Sequence, residues 1–233
     1  MTESNKQTAA VIVAAGSSLR MGAEVSKQFL EVKGVPVLAR TLQAFEKCAV
    51  ISEIVIVTKA EEIPSVRALA QDYGIKKLTD VIAGGDTRAA SAKNGFARIS
   101  ADAAYVAVHD GARCLITPAE IEQVCRIAYC CEAASAAVAV TDTVKRASAD
   151  GFVEETLDRR YVYLAATPQV FSTELYRAAM ATGNLEATDD NQLIESLPHP
   201  VKLVECSKEN IKITYPEDIS LAEFFLDRRE GAR

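Results

Sequence analysis

At 233 residues the chain is long enough to bury a full hydrophobic core as one large domain, residues 1–233, and its 49% apolar and 25% charged content is ordinary globular composition. A net charge of −6 excludes a general nucleic-acid binder but leaves room for a local basic pocket. No apolar run approaches the ~20 residues a membrane span needs, and the opening "MTESNKQT" lacks the basic-then-apolar order of a signal peptide, so a cytoplasmic protein with no membrane partner is expected.

The elements follow in chain order. Residues 9–14 ("AAVIVA") read as a buried strand that ends in a glycine-containing loop. After a long loop, "VLARTLQAFEKC" places Leu38, Leu42 and Phe45 on one helical face behind Pro36. "EIVIVTK" is a second strand, and "PSVRALAQDYG" a helix that stops at Gly74. A short strand around "TDVIAGG", a helix through "TRAASAKNGFARI" and the strand "AAYVAVHD" follow. Thr117 and Pro118 open the next helix as N-cap and first residue, and "ASAAVAV" is another buried strand. This alternation predicts an α/β, Rossmann-like wound, largely parallel sheet with helices on both faces.

The rhythm breaks between residues 141 and 166, where β-rich segments flank the turn signal Asp150-Gly151. That pattern predicts an inserted β-hairpin, too polar to be core. Beyond it come "TPQVF", two helical stretches, the strand "VKLVEC", and an amphipathic C-terminal helix begun by Pro216. Lys212 alternates with Ile211 and Ile213 and so points away from the apolar face of its strand. Cys48, Cys114, Cys125, Cys130, Cys131 and Cys206 show no CxxC or zinc spacing and read as small buried hydrophobes. The two histidines, His109 and His199, offer no metal pair, and His109 reads as structural.

The chemistry starts in "VIVAAGSSLRMG", residues 11–22. A Rossmann fingerprint would need GxGxxG and a later acidic residue for the ribose; a P-loop would need GxxxxGK[ST]. The spacing from Gly16 to Gly22 fits neither. Yet the loop leaves the carboxyl end of the first strand, where wound α/β sheets bind ligands. Ala14, Ala15 and Gly16 lack bulk, so backbone N–H groups can approach a nucleotide, and Arg20 and Lys27 add cationic donors for polyphosphate.

The order small-small-Gly-x-x-x-Arg-Met-Gly, then Lys-Gln-Phe-Leu, is similar to nucleotidyltransferases that join a nucleoside triphosphate to a sugar or polyol phosphate. "AGGDTRAAS", "VHDGARCLI", "DTVKR", "DRR", "ATPQVF", "ATDD" and "ENIKITYPEDI" follow in order. Together they resemble the 2-C-methyl-D-erythritol 4-phosphate cytidylyltransferase family over residues 9–227. The resemblance implies transfer of CMP from CTP to that polyol phosphate, with Mg²⁺.

It further implies that Ala14, Ala15, Gly16, Gly85, Asp86 and Ser91 surround the cytidine, while Arg20 and Lys27 stabilise charge on the triphosphate. Asp110, Arg113, Thr143, Arg159, Thr167, Thr188 and Lys212 form the polyol phosphate side, with Arg20, Lys27, Arg159 and Lys212 the catalytic set. No metal-ligand set is assigned; Asp110 is the candidate carboxylate. The hairpin arm, 141–166, crosses into the partner of a homodimer in this family, so Thr143 and Arg159 serve the neighbour's site. Lys145 and Arg146 read as solvated charges. The chain departs from the family's usual pattern at Ser18 (often glycine), Ser26 (often proline), Cys114 (often proline) and "TDDNQ". The alternatives are a ribitol 5-phosphate cytidylyltransferase and an inactive nucleotide-binding relative.

Overall fold

The computed structural model describes residues 6–16, 26–183 and 187–231. In chain order its first half contains β1 (Thr8–Val13), β2 (Glu31–Val32), β3 (Val35–Pro36), α1 (Val37–Lys47), β4 (Ile51–Thr58), α2 (Ile63–Asp72), β5 (Leu78–Ala83), α3 (Arg88–Phe96) and β6 (Tyr105–Asp110). Then come α4 (Pro118–Cys131), β7 (Ala133–Ala139), β8 (Lys145–Ala147), β9 (Val153–Thr156) and β10 (Tyr163–Ser172). The chain closes with α5 (Thr173–Ala181), α6 (Asp190–Glu195), β11 (Lys202–Glu205) and α7 (Glu217–Gly231).

Apolar residues on both sides of β1 require cover on both faces. Ala10 and Ile12 enter one layer with Leu38, Leu42 and Phe45 of α1, Val66 of α2, and Ile121 and Val124 of α4. Val11 enters the other with Ala92 of α3, Tyr176 of α5 and Ile194 of α6. The seven strands run β11-β7-β10-β6-β1-β4-β5. Every neighbouring pair is parallel except the two made by β10, which opposes β6 and β7. The expected wound α/β sheet with helices on both faces is what the chain adopts. At Gly95 a Cβ would strike Val11 and Val57, so glycine there lets α3 lie close on β1 and β4. Thr117 and Glu120 form a reciprocal capping box at the start of α4.

Three local readings are corrected. The long loop before α1 contains the β2–β3 hairpin, closed by Lys33 and Gly34 at φ 49° and 69°, as a tight two-residue turn demands. Residues 211–214 form no strand; they are tied to the loop after β6 by Ile213 N–H donating to the Ala112 carbonyl at 2.9 Å. Cys130 is exposed and Cys131 only half-buried near the end of α4, while Cys48, Cys114, Cys125 and Cys206 are buried as expected.

The expected hairpin forms from β8 and β9 around Gly151, whose φ is +84°. Every residue of its strands is exposed, and Phe152, Val153, Tyr161 and Leu164 present apolar surface there. Lys145 and Arg146 answer to Thr156, Glu154 and Glu155 within the hairpin. Among the described residues no helix is long and apolar enough to cross a membrane.

Candidate active site

A cavity of about 430 Å³ opens at the carboxyl end of the sheet, where β1, β5 and β6 end. The chain leaving β1 supplies Ala14, Ala15 and Gly16, with the Ala14 N–H donating to the Val57 carbonyl at 2.7 Å. The turn from β5 into α3 supplies Gly85, Asp86, Thr87, Arg88 and Ser91. A Cβ on Gly84 would lie 2.5 Å from the Ala15 Cβ and 2.8 Å from Ser91 Oγ, so this glycine lets the two walls meet. Ser91 is buried, and its Oγ accepts from the Gly85 N–H at 3.1 Å, fixing the turn. Thr87 caps α3 through the Ala90 N–H, which aims the positive end of the helix at the cavity.

Opposite stand Lys27 and Gln28, and the floor is Asp110 with Lys212. Lys212 Nζ lies 2.8 Å from Asp110 Oδ2, and Arg88 Nε donates to Asp110 Oδ1 at 3.1 Å. Burial alone would raise the Asp110 carboxyl; Arg88, Lys212 and Arg113 outweigh it and hold it below the ordinary carboxylate range. Arg88 reaches back to the buried Asp190 at 2.6 Å, and Asp190 accepts from the Tyr176 hydroxyl at 2.6 Å. Burial pulls the Arg88 guanidinium down, yet its two carboxylates hold it above the usual arginine value. Lys212 therefore faces the cavity as the alternation suggested, although its segment is not a strand.

Several expected residues stand behind the cavity rather than in its wall. Arg113 donates to the Asn210 carbonyl at 2.8 Å and keeps its Nε 3.9 Å from Asp110. Thr167 is buried; its Oγ1 accepts from the Asp110 N–H at 3.1 Å and lies 3.0 Å from His109 Nδ1. Thr188 is exposed and bonded to Gln192. Thr143 and Arg159 are exposed on the arm and do not line the cavity of their own chain; Arg159 donates to the Thr141 carbonyl at 2.5 Å. Arg20, like Ser18, lies outside the described residues. His109 is fully buried and pushed down to about 3 by burial, which matches its structural reading.

Arg88 and Asp190 were missed as site residues. Both stood inside quoted motifs, but an arginine opening a helix reads as a solvated charge until the fold brings positions 88, 110 and 190 together. Gln169 was overlooked similarly: its Oε1 accepts from the Asp190 and Asn191 N–H groups at 2.8 and 3.2 Å, anchoring α6.

Two carboxylates, Asp86 and Asp110, line the cavity, and both oxygens of Asp110 are already engaged by Arg88 and Lys212. No group of three or more ligating side chains gathers among the described residues. This donor set suits a divalent ion carried mainly by phosphate oxygens and water, with Asp86 the carboxylate at hand.

Residues 8–228 match the profile of the family described as 2-C-methyl-D-erythritol 4-phosphate cytidylyltransferase. A protein of that name from Pelotomaculum thermopropionicum is 41% identical over 229 residues, covering 97% of this chain and 96% of its own. The crystal structure of 4-diphosphocytidyl-2C-methyl-D-erythritol synthase from Anaerococcus prevotii superposes with a TM-score of 0.86 at 31% identity, over 96% of this chain and 97% of that one. The 2-C-methyl-D-erythritol 4-phosphate cytidylyltransferase from Thermus thermophilus gives 0.75 at 32% identity, over 94% and 98%. With cavity, fold and near-complete coverage in agreement, this chain belongs to the 2-C-methyl-D-erythritol 4-phosphate cytidylyltransferase family.

Proposed function

We propose that this protein transfers CMP from CTP to 2-C-methyl-D-erythritol 4-phosphate, giving 4-diphosphocytidyl-2-C-methyl-D-erythritol and pyrophosphate. The observation that carries the reading is the convergence of Lys27, Lys212 and the amino end of α3 on one cavity in a chain of this family. A phosphate oxygen of the polyol attacks the α-phosphorus of CTP in line, and the bond to the bridging oxygen breaks. Pyrophosphate leaves with that electron pair. The attacking monoester is already anionic near neutral pH, so positioning and charge neutralisation carry the catalysis. A buried imidazole held neutral, as His109 is, has no part in such a step.

Ala14, Ala15, Gly16, Gly85 and Asp86 would enclose the nucleoside, while Ser91 shapes the turn that meets it. Lys27, with Arg20 assigned by the family resemblance, offsets charge on the triphosphate. Lys212, set by Asp110, holds the polyol phosphate; Arg113 and Thr167 act through Asp110. Thr188 remains assigned to the polyol side by resemblance alone. Asp86 would be the carboxylate at hand for an Mg²⁺ ion held mainly by the CTP phosphates, where it would supply neutralisation of phosphate charge.

The exposed arm supports a homodimer in which Thr143 and Arg159 complete the neighbour's site, since an isolated two-stranded hairpin is marginal in water. The free cysteines accord with a reducing cytoplasm. The test is pyrophosphate release with each nucleoside triphosphate against methylerythritol phosphate and ribitol 5-phosphate, with and without chelator. CTP with methylerythritol phosphate should turn over rapidly and only with Mg²⁺. Preference for UTP or for a sugar 1-phosphate would overturn the reading.

A further inference from the structure

Lys27 reaches the cavity from a single 3-10 turn, Lys27–Phe29, and so short a turn does not hold its own position. Its two neighbours are tied to one carboxylate. Ser26 Oγ donates to Glu62 Oε1 and Gln28 Nε2 donates to Glu62 Oε2. The second oxygen also accepts from Thr58 Oγ1 at 2.9 Å, and Thr58 is the buried last residue of β4. Lys59 Nζ completes the cluster, 3.1 Å from Ser26 Oγ and 3.6 Å from Glu62 Oε1. The Glu62 side chain is only 12% exposed, so water competes weakly for these bonds. One acceptor-only group thus links the rigid end of the sheet to both flanks of the cation.

Ser26 sits at φ −60° and ψ 135°. That φ is the one a proline ring would fix covalently, and the ψ is one that proline readily adopts. Here a serine, free to rotate about φ, is held by a hydrogen bond instead. We propose that Glu62 is a positioning residue for Lys27, its carboxylate supplying the restriction that a proline at position 26 would build into the backbone. The proposal takes from the proposed function only the role of Lys27 at the triphosphate.

The test combines turnover with hydrogen exchange across residues 26–30. Glu62→Ala lowers kcat by about 10- to 100-fold, the scale of a misplaced catalytic group. KM for the polyol phosphate moves less than about threefold, and exchange in the segment speeds up. Adding Ser26→Pro to Glu62→Ala recovers most of the lost kcat and slows exchange again, which a merely structural role for Glu62 would not produce. Glu62→Gln, which keeps one acceptor for Gln28 and Thr58 but loses the charge beside Lys59, falls between; it is judged by the same criteria if Glu62→Ala does not fold. Wild-type kcat and exchange in Glu62→Ala, a change confined to KM, or no rescue by proline overturns the proposal. A wild-type enzyme inactive with CTP sinks the proposed function instead, and the exchange measurement still decides whether Glu62 holds the segment.

Discussion

Lowering the pH from 7.5 to 5 should cost this protein about 2 kcal/mol of stability through one imidazole. His109 is fully buried on β6, with Nε2 3.3 Å from the Arg113 carbonyl, so that nitrogen must carry a hydrogen. Thr167 Oγ1 accepts from the Asp110 N–H and lies 3.0 Å from Nδ1, which accepts its hydrogen when the ring is in the neutral Nε2–H form. Burial, reinforced by Arg113 and Arg88 and opposed by Asp110, pushes it from 6.5 down to about 3. The unfolded chain takes up a proton below about 6.5 and the native state does so only near 3. In that window the unfolded state binds more protons, so stability falls as pH falls, by about 1.4 kcal/mol per unit once well below 6.5.

The total of about 2 kcal/mol at pH 5 is reached before most carboxylates begin to protonate. Urea unfolding at a series of pH values measures it. The chain has only one other imidazole, His199, which is partly exposed 3.4 Å from Glu132. Proton NMR should accordingly show a His109 ring that stays neutral to pH 4. A flat stability profile between pH 7.5 and 5, or a His109 ring that titrates near 6.5, would refute the assignment.

Lys27→Ala should lower kcat by at least ~10²-fold with an unchanged melting temperature, as loss of a transition-state cation does; a change confined to KM in the pyrophosphate-release assay would reduce Lys27 to a binding group. Arg88→Met strands the buried Asp190 with only the Tyr176 hydroxyl and should cost about 3–5 kcal/mol, read as a lower urea midpoint; a midpoint within error of wild type would mean the pair is dispensable. Mixing Lys27→Ala with Arg159→Ala subunits should restore roughly a quarter of wild-type activity, since about half of randomly paired dimers are mixed and each has one intact site. No recovery, with subunit exchange verified, would place both residues in one chain's site.

What the sequence made legible was whatever local pattern determines. Strand and helix alternation predicted the wound sheet, and "VHDGARCLI" placed Asp110 at a strand end, because periodicity and loop chemistry are short-range. Partnerships across the fold were not legible. Arg88 lies 102 residues from Asp190, and Glu62 lies 36 from Ser26; no local pattern joins them. Lys212 faces the cavity although its segment is not a strand, since an apolar residue on either side of it separates the core-facing from the cavity-facing side chains whether or not a neighbour pairs with it. Thr167 is read from its motif as touching substrate, whereas its hydroxyl is engaged by His109 and the Asp110 backbone in the middle of β10; a residue type cannot say which neighbours its side chain will meet.

Asp110 offers the clearest way to ask what the cavity floor is built to do. Lys212 and Arg88 converge on it, with Arg113 behind, and cations so close would repel one another without a shared anion. Asp110 is thus a counter-ion that lets the positive charges stand assembled before substrate arrives, so that no reorganisation is needed during the reaction. Asp110→Asn removes the charge and keeps the shape. Its amide nitrogen must then oppose one of the two donors, Arg88 Nε or Lys212 Nζ. Breaking a buried pair costs about 3–5 kcal/mol, and the lower end applies because the Lys212 side chain is 37% exposed. At ~2–4 °C per kcal/mol for a chain of this size, the melting temperature should drop by roughly 10 °C. Inorganic pyrophosphate restores negative charge among those cations, so it should raise the melting temperature of Asp110→Asn by more than it raises that of wild type. If Asp110 instead served chiefly as a ligand for the magnesium–phosphate complex, its loss would weaken binding and the variant's shift would be the smaller one. Differential scanning fluorimetry of both proteins against pyrophosphate, with Mg²⁺ present, separates the two by the sign of that difference.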